Sequence, residues 1–259
     1  MTTAIIAASL QDSVDRYARS LIVPSRLLAL HPRKAGSAGD AAALAPAIAL
    51  GVISAFEGFV EDFFATALYL RGQNLAQIAK KTKLNNPDIK VFEQLVGKDF
   101  TATTPKIGVG FSIDVWYPPA PESGNRKWIP VELDWKHAVA DGQGWMQVRH
   151  CLTHGLTSGW RSEVWPGPLQ AEFRPAAAVL NPMKSGKHSL VLHGAITCAR
   201  IYRGAAVHLA NLVAGQLDET LSWSKLPDFP MYKTSLEEYR AANGLNEDGT
   251  ISPTVAVAD

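Results

Sequence analysis

Apolar residues recur at helical spacing along most of this chain, and the clearest stripe runs from about 46 to 70. There Ile48, Val52, Phe56, Phe59, Phe63 and Leu70 fall on one face of a helix, Pro46 is tolerated in a first helical turn, and Gly72 follows the end. Upstream, Val14, Tyr17, Leu21 and Leu28 form a second helical stripe that Pro24 must kink or split. Shorter helices are expected over 74–83 and 87–96. From 101 to 130 the periodicity stops, because Pro105, Pro118, Pro119, Pro121 and Pro130 with Gly108, Gly110 and Gly124 forbid a continuous element. That stretch is expected to be a long irregular insert, a surface excursion or a lid. A helix is expected to resume near Gly144 and to run through His154, with Gly155 and Gly159 available to end it. Two short strands are expected around 178–180 and 189–192, joined by Ser185-Gly186 turn chemistry, followed by a last long helix over about 194–221. Ser235 and Glu238 make a small capping box for one more short helix, which Gly244 ends.

These elements predict an all-α fold, a helical bundle with a Pro-rich insert and a small β-hairpin. They divide into one helical domain over 1–225 and a tail over 226–259, without internal repeats. A chain of 259 residues, 47% of them apolar, can bury one large core. Its formal charge of +1 argues against a protein whose whole surface attracts polyanions, so any such site must be local. The two cysteines, Cys151 and Cys198, lie in apolar helical surroundings, which points to a reducing compartment, the cytoplasm. The first ten residues lack a basic start, and the apolar stretches read as too interrupted to cross a bilayer, so neither targeting nor a membrane partner is expected.

The chemistry concentrates in Arg149-His150-Cys151-Leu152-Thr153-His154, an arginine, a polar residue, three further residues and a histidine followed by glycine. Trp145, Met146, Val148, Cys151, Leu152 and Leu156 give that helix an apolar face. This motif resembles that of the HEPN family, and the helix carrying Phe56-Glu57-Gly58-Phe59-Val60-Glu61-Asp62-Phe63 looks like the long helix that precedes the motif in bacterial members. The resemblance covers most of the helical frame, and the six-residue motif is its specific part.

It implies an all-α bundle that forms a homodimer through its motif helices and cleaves RNA without a metal or any other cofactor. It also implies a role as toxin or phage-defence effector, restrained by an antitoxin or released by an activator protein. Members neutralised by a nucleotidyltransferase carry a tyrosine two positions after the motif histidine, where this chain has Leu156.

The residue types suit that chemistry. RNA carries its own nucleophile, the ribose 2′-hydroxyl, so a protein need only move protons and stabilise a dianionic phosphorane. His154 is the candidate for the proton step, since an imidazole with a reference pKa of about 6.5 offers both forms near neutrality. Arg149 is the candidate for the phosphorane, because its planar fork can pair two phosphate oxygens. Five residues at about 100° each set the two about 140° apart around the helix, which a site shared across a two-fold axis would reconcile. His150 sits one turn before His154 on nearly the same face, placed to orient a phosphate or to hold the catalytic imidazole.

Other readings stay open. The three residues form a polar seam if Arg149 pairs with Glu57 or Glu61 and the imidazoles are satisfied by backbone carbonyls. His150 and His154 also have the i,i+4 spacing of zinc ligands, with His188 or His193 as a further ligand, although Cys151 stands where zinc proteases have their glutamate. Between Arg174 and Leu217 the chain has no acidic residue, and Lys184, Lys187, Arg200 and Arg203 there are candidates for RNA contact, with His188, His193 and His208 among them. Trp145, Trp160 and Trp165 bracket the motif and offer stacking faces, or core. The runner-up to an enzyme is a catalytically silent module of the same fold that binds RNA or a partner protein.

Overall fold

The computed structural model describes residues 9–31, 43–118, 128–159, 176–185 and 187–231. The expected short helix after Ser235, Trp160, Trp165, Arg174 and positions 119–127 of the expected insert lie outside these residues. Among the described residues the fold is predominantly helical, with seven α-helices and two two-stranded sheets.

The stripe of Val14, Tyr17, Leu21 and Leu28 becomes two helices, α1 (Leu10–Ser20) and α2 (Ile22–Leu30), broken at Leu21. Pro24 falls in the first turn of α2, where a missing N–H goes unnoticed. The long stripe forms α3 (Leu44–Leu70), and α4 (Leu75–Thr82) and α5 (Ile89–Asp99) follow. Asn74 and Gln77 cap α4 reciprocally, and the Asp88 carboxylate accepts from the Val91 N–H at 2.7 Å to start α5.

The stretch 101–130, expected to be irregular, contains structure at both ends. A 3₁₀ turn covers Thr101–Lys106, and β1 (Ile113–Tyr117) pairs antiparallel with β2 (Ile129–Leu133), Trp116 opposite Pro130. Proline is tolerated there because a two-stranded sheet leaves one side of each strand without a partner. Val115 and Trp116 are buried, and Thr197 of the last helix serves the ladder in place of a third strand. Its hydroxyl donates to the Trp116 carbonyl at 2.7 Å and accepts from the Trp116 N–H at 3.1 Å.

The sixth helix, α6 (Trp135–Thr153), starts nine residues before the expected point, capped by the Asp134 carboxylate on the His137 N–H. Gly142 and Gly144 are poor helix formers by propensity, yet they lie inside the helix, where neighbours come too close for a side chain. A Cβ at Gly142 would fall 2.8 Å from the Ile89 side chain, and one at Gly144 3.0 Å from Val179. The expected strands shift to β3 (Asn181–Pro182) and β4 (His188–Ser189), and α7 (Leu192–Gln216) closes the frame.

The core lies where α3 packs along α7 and against α1 and α2. Tyr17 stacks on Phe59 with ring centroids 4.5 Å apart, and Tyr202 meets Phe56 edge-on at 4.9 Å. Against the expectation that no apolar stretch has bilayer length, α3 is long and apolar enough to cross a membrane, with mean hydropathy 1.5 over its most apolar window. Half of that window is buried inside this fold. The segment 226–231, assigned to the tail by sequence, carries the buried Leu226 and Phe229 into the same core.

Two histidines couple this frame to pH. His208 on α7 accepts the Gly108 N–H at 2.9 Å between Phe111 and Trp135, and His193 lies between Trp116 and Trp128. Burial pushes both pKa values down. A histidine held neutral when folded but free to charge near pH 6.5 when unfolded contributes stability that is present above about pH 6.5 and lost as pH falls toward its folded pKa. Urea midpoints are therefore expected to fall between pH 7.5 and 5.5, with a shallower slope for His208→Gln. Midpoints that hold level or rise across that window would contradict the assignment. Glu57 and Asp88, whose pKa values burial raises, act with the opposite sign and mainly at lower pH.

Candidate active site at the end of the sixth helix

The last turn of α6 is fixed by its backbone. His154 is the C-cap, and Gly155 follows at φ +65°, a left-handed conformation that suits glycine. The Leu156 N–H then donates to the Cys151 carbonyl at 3.0 Å and the Gly155 N–H to that of Leu152 at 3.4 Å, which closes a Schellman turn. Cys151 is buried beneath this turn, and burial raises its thiol pKa, so it stays protonated and packs as an apolar group.

His150 and His154 both project into solvent at this end, with ring centroids 4.3 Å apart and planes tilted by 47°. Arg149 does not share their open face. Its guanidinium turns toward α3 and pairs with the Glu57 carboxylate at 3.1 Å, the two side chains only 17% and 13% exposed. Burial raises the Glu57 pKa, while the charge and hydrogen bond of Arg149 lower it. The Arg149 Nε and the Glu57 Oε1 are buried without a hydrogen-bond partner, so the pair is only partly satisfied. Of the three motif residues the structure thus brings the two imidazoles together and directs the arginine inward; the Arg149–Glu57 pair of the polar-seam reading is present, while among the described residues no backbone carbonyl engages either imidazole.

The proposed RNA contacts also divide. Lys184 and Lys187 are exposed at the β3–β4 turn. Arg200 donates to the carbonyls of Asp114 and Phe229, and Arg203 to that of Pro227, so these two tie β1 and the 227–229 segment to α7. Their expected role on RNA gives way to a strapping role because backbone carbonyls, which a sequence does not display, lie within reach. Trp145 is fully buried core.

Among the described residues no group of three or more His, Cys, Asp or Glu side chains is placed to hold a metal ion. Neither His188 nor His193 therefore completes a ligand set with the motif pair. Sequence reasoning missed the recess lined by Trp116, Trp128, Asp141, Val179 and Thr197 beside the start of α7. No motif marks it, since the hairpin and two helices assemble it from distant positions.

Chemically, two exposed imidazoles within contact of each other can take a proton from one atom of a bound substrate and give one to another. No family profile, curated protein or solved structure matches this chain.

Proposed function

We propose that this chain is a metal-independent endoribonuclease of HEPN type, acting as a homodimer through its motif helices in the cytoplasm. The observation that carries the reading is the His150–His154 pair, held side by side and solvent-facing at a rigid helix end. One imidazole, assigned to His154, removes the proton of the ribose 2′-hydroxyl as its oxygen attacks the adjacent phosphorus. A protonated imidazole, His150 or that of the second copy, gives a proton to the departing 5′-oxygen. One P–O bond forms and one breaks, leaving a 2′,3′-cyclic phosphate and a 5′-hydroxyl, and the two histidines exchange protonation states. Lys184 and Lys187 are available to the phosphate backbone. Arg149 would stabilise the phosphorane by exchanging Glu57 for phosphate. The motif's resemblance further suggests a toxin or defence effector restrained by a partner protein, on analogy alone.

A second reading is favoured by one specific observation. The charge of Arg149 is already balanced by Glu57, which suits a catalytically silent module of the same fold that binds RNA or a partner protein. Incubation of the purified chain with single-stranded RNA in EDTA separates the two. Fragments are expected; RNA bound and left intact would replace the enzyme with the module.

A further inference from the structure

We infer that His150 and His154 form a chelating site for one divalent transition-metal ion of the zinc, nickel and copper class. The site differs from the set of His150, His154 and His188 or His193 that sequence spacing suggests, because among the described residues no third His, Cys, Asp or Glu joins the pair.

The geometry is that of a chelate. Two imidazoles that share one ion through bonds of 2.0–2.1 Å have ring centroids about 4.5–5 Å apart, and the rings here stand at 4.3 Å on successive turns of one face. Small side-chain rotations close the difference. Among the described residues no hydrogen bond or ion pair engages either ring, so none of their carboxylates or carbonyls has to be displaced. The Schellman turn and Gly155 hold the last turn of α6 in place, which reduces the ordering needed on binding.

Imidazole nitrogen selects this metal class over calcium or magnesium, which prefer oxygen ligands. Two protein ligands leave the remaining positions to water, so the ion is exchangeable.

The consequence for activity rests on the ribonuclease reading. A lone pair bound to metal cannot take a proton, so occupancy by zinc would silence His154, and EDTA would restore it. The same two residues cannot be metal ligands and proton carriers at once, which makes the ion an inhibitor.

The binding claim is tested without RNA, so its failure is separable from failure of the enzyme. Isothermal titration of the untagged full-length chain with zinc chloride at pH 7.5 is expected to show binding that His150→Ala and His154→Ala each weaken by about tenfold or more, since either change turns a chelate into a single ligand. His137→Ala is the control, because His137 is exposed elsewhere on α6 and already paired with Asp134. Zinc binding that survives both motif substitutions, that His137→Ala removes, or that is absent up to millimolar zinc overturns the site.

Discussion

Replacement of His154 by alanine is expected to lower the rate of RNA cleavage by about 10²- to 10⁴-fold, the range over which a positioned acid or base contributes. The loss should appear in turnover, since the imidazole acts on a proton in flight and holds little of the substrate. Folding should hardly respond. His154 is exposed, it caps the helix through its backbone, and among the described residues its one aromatic contact is with His150. Surface changes of this kind move stability by about 0.5 kcal/mol or less. His150→Ala should reduce cleavage too, and by a similar factor if it supplies the second proton. Undiminished cleavage by His154→Ala, with the melting temperature unchanged, would remove the histidine from the mechanism.

The second large effect concerns Glu57 and Arg149. Removing either partner alone strands the other charge against the α3–α6 contact, and with side chains 13% and 17% exposed the penalty falls between surface and core values, about 1–3 kcal/mol. Removing both is expected to cost less than either single change. The physical reason is that both charges lose water on burial while Glu57 Oε1 and Arg149 Nε, both buried, lack hydrogen bonds; burial pushes the Glu57 pKa up, against the effect of Arg149. A double-mutant cycle on Glu57→Leu and Arg149→Met, read from urea midpoints, measures the coupling, and additive effects would contradict the pairing. The same variants probe function. If Arg149 must leave Glu57 to reach phosphate, Glu57→Gln should tighten RNA binding while Arg149→Met weakens it.

The frame was legible wherever local pattern and packing agree. The stripe of α3, the presence of a long last helix, though it ends at Gln216 and not near 221, and the stop at Gly155 follow from periods and turn residues that the sequence displays. The first half of α6 was not legible, because Gly142 and Gly144 are breakers by propensity and close-packing positions by contact, and the contacts come from Ile89 and Val179. The β1–β2 hairpin was hidden by Pro130 and by a strand partner, Thr197, that is 81 residues away. Within the site, the shared face of the two histidines followed from their spacing. The direction of Arg149 stayed open between phosphate and a pairing with Glu57 or Glu61, since a carboxylate 92 positions earlier decides it. Arg200 and Arg203 looked like free positive charge for the same reason: the carbonyls that engage them are fixed only once the 227–229 segment folds back on α7.

The most direct measurement is the analysis of the ends left when the wild-type protein cuts total RNA in EDTA. Fragments ending in 2′,3′-cyclic phosphate and beginning with a 5′-hydroxyl are the predicted result, because attack by the 2′-oxygen under histidine acid–base catalysis leaves those groups. Fragments with 3′-hydroxyl and 5′-phosphate ends would mean that water rather than the 2′-oxygen is the nucleophile, and cleavage seen only when EDTA is left out would mean that a metal is required; either result would contradict the account.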